Sequence, residues 1–159
     1  MSLDFALAHP QIHPKIREIH AYWLGLHPAP GVLPDRRAID PIAIRAVLPN
    51  LFLLDASPPP LRLRYRLVGT KLVQAGGREL TGRLMEDAHP NLLLAEPYAD
   101  YPACAREARI GWRRGPTVFD WDRQHVQIER ILLPLATDGR TVDVILGLSV
   151  FLDSNGREL

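Results

Sequence analysis

A chain of 159 residues, 47% of them apolar and 23% charged, has the length of one domain and enough apolar surface to fold unaided, which excludes wholesale disorder. Its 19 basic and 18 acidic residues leave a formal net charge of +1, so no chain-wide field draws in nucleic acid or an anionic membrane, and neither is expected as a partner. The single cysteine, Cys104, excludes an internal disulfide and a cysteine-based zinc cluster, and it points to a reducing, cytoplasmic setting.

The start, Met1-Ser2-Leu3-Asp4-Phe5, has neither a basic region nor a long apolar stretch, and no later run approaches the roughly 20 apolar residues of a membrane span. Ile12, Ile16, Ile19, Trp23 and Leu26 are spaced by four, three, four and three, the rhythm of a helical seam, with Pro14 in the first turn. The helix stops near Gly25 and His27-Pro28, and the proline-rich stretch to Pro34 reads as a stiff linker. So short a helix needs a surface to lie against. That surface is either the back of its own domain or the same helix of a second copy, and in the second case the five stripe residues form a homodimer interface. His13, His20 and His27 recur every seven residues, about 10 Å apart along a helix, too far to share one metal ion. They read as solvated flank residues, and no metal site is expected.

Asp40-Pro41 is expected to open a short helix through Ile42, Ile44 and Val47 that ends at Pro49. Leu51-Phe-Leu-Leu54 is a continuous apolar run, as in a strand covered on both faces. Leu61, Leu63, Tyr65 and Leu67 then alternate with Arg62, Arg64 and Arg66, which gives a strand with one apolar and one cationic face. The arginines require acidic residues nearby. From Gly69-Thr70 to about residue 110, glycines and prolines break the chain into short helices, the longest predicted over Tyr98 to Ile110 with Tyr101, Ala105, Ala108 and Trp112 on one side.

A third strand is expected over Thr117 to Asp122, with Trp112-Arg-Arg-Gly115 before it as a loop anchored by a buried Trp. Val126 to Ala136 changes phase between Ile128 and Ile131, which suggests a bulge near Glu129-Arg130. Asp138-Gly139 signals a hairpin into a strand over Val142 to Leu152, apolar on both faces and therefore expected at the centre of the sheet.

This order is helix, two strands, a helical middle and three strands. Arg37-Ala-Ile-Asp-Pro41, Leu48-Pro-Asn-Leu-Phe-Leu-Leu-Asp55, Tyr65-Arg-Leu-Val-Gly-Thr70, Leu80-Thr-Gly82 and Leu133-Pro-Leu135 before Asp138-Gly139 resemble a proteobacterial PAS-like family of small stand-alone domains, over about residues 34 to 152. The resemblance implies an α+β fold, a five-stranded antiparallel sheet roofed by helices whose concave side can hold a small ligand. It also implies dimerisation through an N-terminal helix. The expected organisation is a helix and linker over 1–33, a PAS-like domain over 34–153 and a tail over 154–159. With no effector segment in sight, the output of such a sensory or interaction module would pass through a protein partner or its association state.

Ligand-binding candidates are Tyr65, Arg66, Trp112, Phe119, Trp121, Arg130 and Ser149, with facing on each strand uncertain by one residue. Flavin photosensors of this fold use an Asn-Cys-Arg motif, whereas Cys104 lies in Pro102-Ala-Cys-Ala-Arg106 and reads as a buried helical thiol. Haem needs an axial ligand, and His89 and His125 read instead as capping or surface residues, so neither cofactor is supported. An isomerase-like enzyme would draw on Tyr98, Asp100, Tyr101, Asp120, Asp122 and Glu129. Ion pairing with Arg62, Arg64 and Arg66 accounts for Asp120 and Asp122 more simply, and no catalytic residue is assigned.

Overall fold

The structure, a computed structural model, describes residues 8–57, 59–117 and 127–159. Five strands, Leu51–Ser57 (β1), Arg62–Val68 (β2), Gly111–Pro116 (β3), Gln127–Leu135 (β4) and Val144–Leu152 (β5), form one sheet in the order β2-β1-β5-β4-β3 with every neighbouring pair antiparallel. β5 is central because it is apolar on both sides, and all nine of its residues are buried. Its even-numbered residues join Ile131, Leu133 and Leu135 of β4 in an outer cluster. Ile145 joins Phe52, Leu54, Leu63, Tyr65 and Leu132 in an inner one.

The outer face is covered by Pro14–Gly25 (α1). Ile12, Ile16, Ile19 and Trp23 are buried against the sheet of their own chain, and Trp23 Nε1 donates to the Pro134 carbonyl at 2.9 Å. Of the two surfaces open to this stripe, the chain uses its own. The residues assigned to dimerisation are therefore core residues here, with Leu26 half-buried at the helix end. His13 caps α1 by accepting from the Lys15 N–H, and His27 stands edge-on to Trp23 at 4.4 Å. The tail folds back to tie the same helix down. Glu158 takes Lys15 at 2.5 Å and Lys71 at 2.9 Å, and the Leu159 N–H donates to the Phe151 carbonyl.

The inner face is roofed by Thr70–Gly76 (α2), Met85–Ala88 (α3), one-turn 3-10 helices at Pro90–Leu94 and Glu96–Ala99, and Asp100–Glu107 (α4). Met85, Ala88, Leu92, Tyr101 and Cys104 face the sheet. α4 is shorter than expected because Ala108 takes a left-handed φ of 53° and ends it, so Tyr101 and Cys104 form its buried side with Ala105 half-buried beside them, while Ala108 is exposed.

Four other expectations are corrected. Residues 41–47 form successive turns that bury Ile44 and Val47 but leave Ile42 76% exposed, in place of a helix. Trp112-Arg-Arg-Gly115 is strand β3 rather than a loop; the strand expected over 117–122 falls mostly on residues 118–126, outside the described residues. β4 and β5 pair without interruption from Gln127↔Leu152 to Leu135↔Val144, so the change of phase in β4 reflects burial of both faces and not a bulge. The irregularity lies between β1 and β2. Leu53 opposes Leu67 while Leu54 opposes Tyr65, which leaves Arg66 as the extra residue and turns Leu67 outward to 43% exposure.

Two of the three β2 arginines find acids, Arg62 pairing with Glu86 and Arg66 with Asp55, each at 2.8 Å, whereas Arg64 donates to the Gly82 carbonyl. The Asp138-Gly139 hairpin is formed as expected. Gly139 takes a φ of 76°, and the Asp138 carboxylate accepts from the N–H groups of Arg140 and Thr141.

Candidate functional site

The sheet curves around a cavity of about 50 Å³, walled by β1, β2, β4 and β5 and closed by α2, α4 and the segment after α2. That is several times what a single water requires. Its wall is mainly apolar, with Phe52, Leu72, Ile128 and Phe151 among the lining residues. A few polar groups converge on it: the Tyr65 and Tyr101 hydroxyls, the Ser149 hydroxyl, the His89 ring and the Arg78 guanidinium.

Strand parity brings two of them in. Tyr65 alternates inward with Leu63 on β2, and Ser149 occupies an inner position on β5. His89 is placed by the end of α3, where it serves as C-cap before Pro90, and its Nε2 lies 3.0 Å from the Tyr65 hydroxyl with the rings edge-on. Arg78 stands exposed at the mouth, where one Nη donates to the Ala88 carbonyl.

Burial decides the protonation of these groups. It drives the Tyr65 phenol well above its usual range, with the Tyr101 phenol adding to the rise, so Tyr65 stays a neutral hydroxyl. Desolvation, with the Arg78 and Arg83 cations behind it, lowers His89 from 6.5 to about 4, so the imidazole is neutral at physiological pH. A histidine whose folded pKa is depressed contributes stability that is complete above the unfolded value and lost as pH falls toward the folded one. Between pH 6.5 and 4 the chain should lose about 2 kcal/mol from this group, allowing for its partial exposure. Urea denaturation of the wild type and of His89→Gln at pH 7 and pH 4.5 checks this. The wild type should show the larger loss, and equal losses would remove His89 as the cause.

Behind Tyr101 sits Arg130, buried to 4% exposure with its guanidinium 4.7 Å from the Tyr101 ring centroid. One Nη donates to Asp100 at 2.5 Å, and Nε is buried without a hydrogen-bond partner among the described residues. Cys104 is in the same layer. Burial pushes its thiol up to about 12, which makes it an inert packing residue.

The other ligand-binding candidates lie elsewhere. Arg66 is exposed at the β1–β2 irregularity, and Trp112 packs on the outer face with its Nε1 3.2 Å from Glu129. Phe119 and Trp121 lie outside the described residues, as do Asp120, Asp122 and His125. Glu129, fully buried, points to the outer face and accepts the His13 N–H at 3.1 and 3.2 Å through its two oxygens. It anchors the start of α1 and takes no part in the cup. Arg78 and His89 were not among the ligand-binding candidates, because they come from the irregular stretch between α2 and the 3-10 turns, where no periodicity marks facing.

A curved five-stranded antiparallel sheet with helices over its concave face is the PAS and LOV type of α+β domain, a fold of sensory and interaction modules. The chain belongs to the PAS domain family, whose family model matches residues 11–150. Among solved structures it is similar to the LOV protein of Rhodobacter sphaeroides, at 19% identity and a TM-score of 0.53 over 68% of this chain and 64% of that one. A substituted form of RsLOV aligns at 20% identity and a TM-score of 0.51, over 68% and 65% of the two chains. The alignment thus spans just under two thirds of those proteins, and at this identity the likeness is one of fold. No curated protein sequence matches the chain. No helix among the described residues is long and apolar enough to cross a membrane.

Proposed function

We propose that this chain is a sensory module that takes a small molecule into the cup between its sheet and α2 and α4, its occupancy being read by a protein partner or a second copy. The observation that carries the reading is the cavity itself. An apolar hollow with a few convergent polar groups is the form of a small-molecule site, whereas an interaction scaffold needs only a solid core. No catalytic role is assigned. Asp100 is held by Arg130 and Glu129 lies on the opposite face of the sheet, so these two carboxylates do not converge as an acid–base pair.

Thermal denaturation against a panel of small metabolites tests the reading, with Ser149→Leu as the companion variant that fills the cavity. A ligand at about 100 times its Kd should raise the wild-type Tm by about 5 to 10 °C. The folded Ser149→Leu protein should not respond. A panel without any hit, or a hit that shifts the filled variant equally, overturns ligand binding in the cup.

A further inference from the structure

Arg78 is the one charged side chain among the described lining residues of the cavity. Among its described lining residues there is no carboxylate, while Arg78 stands at the mouth and Arg83 is close enough to depress His89. A guanidinium has five N–H donors, and the hydrogen bonding of Arg78 among the described residues is one contact to the Ala88 carbonyl. That contact fixes the side chain at the rim and leaves donors for a second acceptor. Deeper in, the Tyr65 and Ser149 hydroxyls are neutral, and the remaining wall is hydrocarbon and aromatic.

A neutral apolar molecule would make no use of the charge-assisted donors Arg78 offers at the mouth, and a cation would meet Arg78 with no lining carboxylate to offset it. A second negative charge would find no second cation in the wall, because Arg83 acts on His89 at a distance and is not among the described lining residues. An amphipathic monoanion satisfies every part of the wall at once. Resting on the reading of the cup as a ligand site, we infer that the ligand is a small monocarboxylate with an apolar body, its head group on Arg78 and its body against Phe52, Leu72, Ile128 and Phe151. A carboxylate is planar with two acceptor oxygens, and so matches the fork of a guanidinium.

The body must also be small. A cavity of about 50 Å³ is a third of the roughly 150 Å³ hollow that holds a benzene ring, so it takes a chain of a few carbons before a ring and excludes a fused heterocycle.

Calorimetric titration of the purified chain with butyrate, hexanoate and phenylacetate, each paired with its primary amide, tests the class. The best carboxylate should bind about tenfold or more tighter than its amide, the scale of one charge-assisted hydrogen bond. Arg78→Gln should bring the pair close to parity while its melting temperature stays near that of the wild type, since Arg78 is exposed. A second readout is independent of affinity. The His89 pKa, followed by NMR, should rise by about one unit when the carboxylate binds and stay put with the amide, because an anion offsets the two arginines. Equal binding of acid and amide, or preference surviving in Arg78→Gln, overturns the carboxylate assignment and leaves the cup reading intact. If no acid or amide binds, the carboxylate assignment also falls. The cup reading falls separately, only if the wider metabolite panel leaves the wild type unshifted as well.

Discussion

Ile19→Glu should leave the chain largely unfolded. Ile19 is fully buried between α1 and the outer face of the sheet, in the cluster that holds Ile16, Trp23, Leu133 and Leu146. Truncating such a side chain costs about 2–5 kcal/mol, and a carboxylate put in its place adds the desolvation of a charge with no partner. The sum, about 5 kcal/mol or more, is comparable with the whole stability of a domain of this size. Ile19→Ala keeps the test measurable, since it should remain folded and lose about 3 kcal/mol by urea denaturation. Light scattering then separates the two roles open to the stripe. If α1 served instead as the seam between two copies, Ile19→Glu would give a well-folded monomer with a near-native melting temperature, and the packing of α1 on its own sheet would be wrong.

Whether the helix turned inward or outward was the part of its reading that periodicity could not settle. A stripe spaced four and three says that one side is covered; what covers it is a matter of tertiary contact. The strands divide along the same line. β5 and β2 were legible because their patterns are local: apolar on both faces in one, leucines and Tyr65 alternating with arginines in the other. β3 was not, because Gly111–Pro116 is an edge strand with two arginines and two small residues, and its only instruction to extend comes from pairing with β4.

Glu129 and Arg130 misled in a different way. Adjacent charges look like exposed residues, so the alternation reads as slipped there. Both are buried, one on each face, and are satisfied by partners far along the chain, Glu129 by the His13 N–H and Arg130 by Asp100. The real irregularity, opposite Leu53 and Leu54, leaves no mark in composition and turns Leu67 out of the apolar face that simple alternation gives it. In the cup, Tyr65 and Ser149 could be read from strand parity, whereas Arg78 and His89 are fixed by helix ends and turns.

Gly69→Ala should cost about 3 kcal/mol or more, although it adds one methyl group. The reason is not conformational freedom, because Gly69 has a φ of −64° that any residue adopts. It is space. A Cβ there would lie 2.4 Å from the Pro49 carbonyl oxygen and 2.6 Å from that of Leu48, and the Gly69 N–H donates to the Leu51 carbonyl at 2.7 Å. Gly69 therefore joins the end of β2 and the start of α2 to the Leu48–Asn50 turn that leads into β1. These are the two stretches, Leu48 to Asp55 and Tyr65 to Thr70, that stand out in the sequence. Because the obstructing atoms are backbone, no change of rotamer relieves the clash. Either α2 moves off the turn or the bond to Leu51 breaks, and α2 forms one wall of the cup, so ligand binding should fall together with stability. Chemical denaturation of Gly69→Ala beside Gly25→Ala, where nothing lies within 4 Å of the added Cβ, isolates the effect. Gly25→Ala should stay within about 0.5 kcal/mol of the wild type. A Gly69→Ala protein as stable as that control would mean that the turn and α2 are not in backbone contact, and the wall of the cup that rests on that contact would have to be placed elsewhere.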